Sequence, residues 1–163
     1  MKKIVALFLC LLVLGTAAFG LDKAAGGGVM AWLAGNTEME GTLSAFGAFG
    51  FFGLGQYVEL NAGVASIEEL FAVGFGAYGK YPISLSDRIV IFPTAGADAE
   101  IYFADDESVT QLWLRGGAGL DFFFTDTMFL RSHLVFGVLI PISAEIIGTT
   151  YGALVKVGVG WMF

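Results

Sequence analysis

The sequence predicts an all-β protein, an eight-stranded antiparallel up-and-down transmembrane β-barrel, and three observations carry that prediction. The chain is 56% hydrophobic with a mean hydropathy of +0.78, too apolar for an ordinary soluble domain. Beyond its first twenty residues, apolar side chains alternate with polar or small ones at the period of a strand. The only later run long enough for a membrane helix, Gly41 to Val58, contains Gly41, Gly47, Gly50, Gly53 and Gly55. Each glycine costs a helix about 1 kcal/mol relative to alanine, so strands are the expected crossing elements.

The opening stretch "MKKIVALFLCLLVLGTAAFG" has two lysines, an apolar core from Ile4 to Leu14 and the small residues Gly15, Thr16, Ala17 and Ala18. That is the layout of a secretory signal, with cleavage expected after Gly20, and its apolar core is too short to span a bilayer. Residues 1–20 are therefore expected to be a signal peptide and 21–163 a single barrel domain. Cys10 is the only cysteine and should leave with the signal, which removes disulfide, thiolate-metal and cysteine-nucleophile chemistry from the mature chain. The whole chain has a formal charge of −7, and loss of Lys2 and Lys3 takes it to −9. Nucleic acid is an unsuitable partner for such a surface.

Eight segments follow from the period-two pattern and the turn signals: 24–35, 41–53, 57–66, 70–80, 88–102, 110–124, 128–142 and 149–163. The number is even, as single-chain bacterial barrels require. The first, "AAGGGVMAWLAG", has no clear face. The fifth contains Pro93, which cannot donate to the ladder and predicts a bulge. The sixth places Leu112, Leu114, Ala118, Leu120, Phe122 and Phe124 opposite Gln111, Arg115 and Asp121. In the seventh, Leu130, Leu134, Phe136, Val138 and Ile140 oppose Arg131 and His133. The last puts Tyr151, Ala153, Val155, Val157, Val159, Trp161 and Phe163 on one face and Gly152, Lys156, Gly158 and Gly160 on the other.

The connections provide a check independent of the faces. On the side away from both chain ends they hold Glu38, Glu40, Glu68, Glu69, Asp105, Asp106, Glu107 and Glu145, with no base. On the other side lie tight turns near Leu54–Gln56 and Thr125–Thr127 and a longer "YPISLSD" connection. Aromatic residues gather on that side at Phe51, Tyr81, Phe122, Phe124, Trp161 and Phe163, as an interfacial girdle requires. A thinner girdle is expected at the opposite rim from Trp32, Phe71, Phe103 and Tyr151.

The inward set on this reading is Glu59, Asn61, Lys80, Arg88, Asp98, Glu100, Gln111, Arg115, Asp121, Arg131, His133 and Lys156. Buried ions must be paired, and an eight-stranded barrel is only wide enough for side chains to fill, so a plugged, salt-bridged lumen is expected. Further inward positions are apolar or aromatic, namely Phe46, Val90, Phe92, Trp113, Phe123, Val135 and Leu139. A mixed lumen of that kind leaves open a second reading, a narrow channel or carrier for small apolar solutes.

The signal, the eight alternating segments, the aromatic girdle and the terminal "GVGWMF" resemble the small outer-membrane β-barrel proteins of Gram-negative bacteria, with OmpX, OmpA transmembrane-domain and OmpW-like architecture. The resemblance covers the whole mature chain and is architectural. It implies an outer-membrane location, lipid as the surrounding partner and a monomer. It also implies that the barrel-assembly machinery reads the chain end through Val155, Val157, Val159, Trp161 and Phe163. The outer connections are too short for the projecting strands of an OmpX-like adhesive sheet, and no soluble domain is expected after the barrel.

No catalytic residue, cofactor or metal site is expected. His133 is the only histidine, and its neighbour Ser132 points to the opposite face of the strand. The Asp105–Asp106–Glu107 run lacks the spacing of a calcium loop, and the glycine-rich "GAFGFFG" lacks the lysine and helix of a phosphate loop. A structural or surface-interaction role is the leading expectation. Deletion of Phe163 should lower barrel assembly and leave unfolded chain in the periplasm, measured by fractionation; normal assembly would show that the terminus is not read.

Overall fold

A computed structural model describes residues 23–38, 41–67, 70–104, 107–140 and 149–163. The expected signal peptide with Cys10, and the acids Glu40, Glu68, Glu69, Asp105, Asp106 and Glu145, lie outside the described residues. Nine strands occur among those residues: β1 (Lys23–Asn36), β2 (Thr42–Leu54), β3 (Val58–Ile67), β4 (Leu70–Lys80), β5 (Ile83–Ser86), β6 (Ile89–Ala104), β7 (Glu107–Phe123), β8 (Met128–Ile140) and β9 (Thr150–Met162). Gly41 to Val58, the one stretch long enough for a membrane helix, forms β2 and a turn instead.

Every pairing is antiparallel, and the sheet closes because β1 pairs with both β2 and β9 while β4 pairs with β6. The register Lys80↔Thr94 continues unshifted into Ile83↔Ile91, so β5 prolongs β4 along the same neighbour. The barrel therefore has eight staves, one of them split at Tyr81–Pro82. This is the predicted fold class.

Three local expectations change. Pro93 makes no bulge: the β6–β7 register runs unbroken through Pro93↔Ala118, and across from it Tyr81 N–H donates to the Pro93 carbonyl at 3.1 Å. Proline's missing donor is absorbed where β4 gives way to β5, and the register shift falls between Ser84 and Ser86. The "YPISLSD" segment is not a long loop but a short strand and a turn at Asp87–Arg88 that extend the hairpin past the rim. Finally, β1 has a face after all, with Val29 and Leu33 outward and Trp32 and Ala34 buried inside.

The faces of β7, β8 and β9 are those expected, with Leu114, Leu134, Phe136, Val155 and Val157 exposed on the outer wall. Phe46, expected inside, is 71% exposed on the outer wall. Phe51 and Trp32, expected in the two girdles, are 4% and 8% exposed and belong to the lumen. The reason is the same parity: along β2, Ala45, Phe49 and Phe51 are the buried set, which sends Phe46 outward. At the rim that carries Lys23 and Phe163 the girdle consists of Tyr57 stacked on Tyr81 with ring centres 6.3 Å apart, Phe122 against Phe124 at 5.5 Å and Phe52 against Phe163 at 6.5 Å. At the far rim Phe71 and Phe103 meet at 6.4 Å and Tyr151 stands exposed. Gly55 takes a φ of 70° in the tight β2–β3 turn, a conformation that favours glycine.

Candidate functional site: the charged lumen

Strand parity sends Glu59 and Asn61 of β3, Lys80 of β4, Asp121 of β7, Arg131 and His133 of β8 and Lys156 of β9 into the barrel. Register then decides who meets. Asp121 lies directly across from Arg131 on adjacent strands, and His133 across from Lys156. The β3 residues approach from the opposite wall.

Arg131 holds the centre. Its Nε donates to Asp121 Oδ1 at 2.6 Å and one Nη to Oδ2 at 2.5 Å, a two-pronged geometry suited to guanidinium and carboxylate. Its other Nη reaches across the lumen to Glu59. The same carboxylate accepts Lys80 Nζ at 3.0 Å and Asn61 Nδ2 at 3.2 Å, and Asn61 Oδ1 in turn accepts Lys156 Nζ at 3.1 Å. Phe51, Phe129 and Phe92 surround the guanidinium at 4.3, 5.0 and 5.1 Å from their ring centres. Such contacts favour a cation over the ring faces. Gly160 makes room for this packing, since a Cβ there would come within 2.4 Å of Phe129 and 2.6 Å of Phe51.

A second cluster sits toward the far rim. Arg115 pairs with Asp98 at 3.2 Å and with Glu100 at 2.6 Å, and lies 5.0 Å over the Trp113 ring. The Tyr78 hydroxyl donates to Asp98 and the Tyr102 hydroxyl to Glu100. Trp113 meets Trp32 edge-on at 5.6 Å. Lys156 makes no ion pair among the described residues and rests 5.2 Å over Tyr78 and 5.6 Å over Phe49.

Of the expected network, Glu59, Lys80, Asp121 and Arg131 come together in one cluster and Asp98, Glu100 and Arg115 in the other; Lys156 joins the first through Asn61. His133 contributes its ring, 5.7 Å from Tyr78 and 5.8 Å from Phe92, and its Nε2 is buried without a hydrogen-bond partner among the described residues. Arg88 does not belong. It is exposed at the β5–β6 turn, one residue before the strand starts at Ile89, where the inward parity of β6 no longer applies. The tyrosines Tyr78 and Tyr102 were missed, although each shares strand parity with a charged residue, Lys80 and Glu100. Among the described residues no group of three or more His, Cys, Asp or Glu could hold a metal ion.

Two cavities flank the Arg131 cluster and share no lining residue. One of about 50 Å³ is bounded by Lys156, Asn61, Asp98, Glu100, Arg115 and Trp32. That is room for a few waters and nothing larger. The other, of about 260 Å³, lies on the opposite side of Arg131 toward Lys23.

Removing one member of a buried charge network leaves its partners uncompensated, at a cost of about 3–5 kcal/mol. Glu59→Gln should therefore destabilise the refolded barrel by about 3 kcal/mol in urea unfolding followed by tryptophan fluorescence, whereas Phe46→Leu on the outer wall should change little. An unfolding midpoint for Glu59→Gln equal to that of the parent would show that the cross-lumen pairs carry no stability.

No protein-family model matches this sequence, and no curated protein matches it. Solved structures do. Neisserial surface protein A (NspA) aligns over 86% of this chain and 97% of its own, with 8% identity and a TM-score of 0.64. Ail, the attachment invasion locus protein of Yersinia pestis, aligns over 87% of this chain and 98% of its own, with 11% identity and a TM-score of 0.52. At such identities the likeness is one of fold: the chain has the eight-stranded architecture of the small outer-membrane β-barrels.

Proposed function

We propose that this chain is an integral protein of the bacterial outer membrane with a structural or surface-interaction role, its lumen closed by the Arg131 cluster. The single observation that carries the reading is that cross-brace. Arg131 bridges Asp121 beside it and Glu59 on the opposite wall, and three phenylalanine rings fill the space around it. A solute would have to break the Arg131–Glu59 pair that spans the lumen, in a site shielded from water where such pairs are strong. The outward apolar belt and the aromatic rims suit a surrounding of outer-membrane lipid, with the chain as a monomer. Val155, Val157, Val159 and Trp161 face outward on β9 and Phe163, just past its end, is exposed, a face available to an assembly machine before closure.

The reading is non-enzymatic. His133 packs among aromatic rings, and Ser132 points to the other side of β8. A second reading, a narrow channel or carrier for small apolar solutes, is favoured by the 260 Å³ cavity with its aromatic walls.

Planar-bilayer recording separates the two. The purified barrel should stay silent, and Arg131→Ala combined with Phe51→Ala should introduce discrete conductance steps. Regular steps from the parent protein would favour the conduit. A deletion strain with unchanged envelope permeability and unchanged surface binding would count against the structural role.

A further inference from the structure

The cavity of about 260 Å³ is a formed recess with chemistry of its own. Its walls are inward side chains of successive staves, Phe92 on β6, Phe123 on β7, Phe129 on β8 and Met162 on β9. Lys80, Arg131 and Asp121 form its inner end. The exposed Gln56 and Ser84 stand at its edge, so it opens to solvent at the rim where β1 begins.

Lys80 and Arg131 are the cations at its inner end and Asp121 is the carboxylate on its lining among the described residues; Glu59, off the lining, accepts from both cations. Lys23 borders the mouth from β1, at the outward parity of Val29 and Leu33. Asp121 is already engaged through both oxygens by Arg131. Among the described residues Lys80 donates one hydrogen bond, to Glu59 at 3.0 Å, out of the three an ammonium offers. The turn residues Asp87, Arg88 and Asp126 line a surface cleft that adjoins the mouth, with Ser84, Val90 and Phe123 common to both.

We infer that this recess binds a small amphipathic monoanion, a carboxylate carried on a compact apolar body, with the carboxylate on Lys80 Nζ and the body among Phe92, Phe123 and Phe129. Size supports the class: a dry cavity of about 150 Å³ accepts benzene, so the recess accepts a ring and a short polar arm. Aromatic walls favour offset and edge-on contacts with a ring. Arg131 closes the inner end, so the ligand enters and leaves by the same mouth. The inference goes beyond the structural reading and holds whether or not the lumen conducts.

The test is NMR of the full chain with methyl-labelled methionine, refolded in a non-ionic detergent and titrated with phenylacetate and, separately, with the neutral analogue phenylethanol. Met162 lines the recess and Met30 lines the small cavity beyond Arg131. Phenylacetate should shift the Met162 methyl signal saturably and leave Met30 unmoved, with phenylethanol binding at least about tenfold more weakly for want of a charge-assisted contact. Lys80→Met should weaken phenylacetate by about tenfold. Val90→Trp fills the recess while keeping every ion pair, and should abolish the response in a barrel that still folds. Equal titrations by acid and alcohol, or an unchanged affinity in Lys80→Met, overturn the anion assignment. No saturable Met162 shift, or a full response in Val90→Trp, overturns the site.

Discussion

In hydrocarbon no water is available to a bare peptide group, so a sheet that crosses a membrane must pair every strand on both edges. That constraint fixes this molecule. Closure is made by β1 between β2 and β9 and by β4 against β6, and the short β5 carries the β4 stave past Tyr81–Pro82 in the same register. Once eight staves close, the interior has room only for side chains. Whatever strand parity turns inward must then pack and neutralise itself.

The lumen meets this demand by division of labour. Near the rim that carries Lys23, one carboxylate, Glu59, serves Lys80 and Arg131, and Arg131 also takes Asp121. Beyond it, one guanidinium, Arg115, serves two carboxylates that also accept tyrosine hydroxyls, Asp98 on the oxygen Arg115 already meets and Glu100 on its other oxygen. Desolvating these ions is expensive, and an apolar filling would be no less stable. What the ions add is register. Sliding any of β3, β7 or β8 by one residue would turn Glu59, Asp121 or Arg131 toward lipid, so the network penalises alternative pairings that an all-apolar lumen would tolerate.

Legibility of the fold tracked how cleanly side chains alternate. In β7, β8 and β9 apolar and polar residues take turns, and the faces read from them are the observed ones. β2 reads "TLSAFGAFGFFGL", apolar or small nearly throughout, and there the faces of Phe46 and Phe51 came out reversed. The glycines of β1 hid the inward turn of Trp32 for the same reason. Arg88 was misplaced because parity holds only within a strand and says nothing one residue beyond its end. The members of the lumen set were readable from parity, yet the bond that organises them was not: Glu59 and Arg131 are 72 residues apart on opposite walls. Only closure brings them together, and the tyrosines that complete the second cluster read in sequence as wall residues rather than as donors.

The strands form a closed, self-paired wall. The most direct measurement is electrophoretic: the full chain, refolded in detergent, run in SDS with and without boiling. Closure predicts a faster-migrating species in the unboiled lane that is lost on boiling, with β-sheet circular dichroism in the same sample. Identical migration in both lanes together with a helical spectrum would contradict the barrel and every contact derived from its lumen.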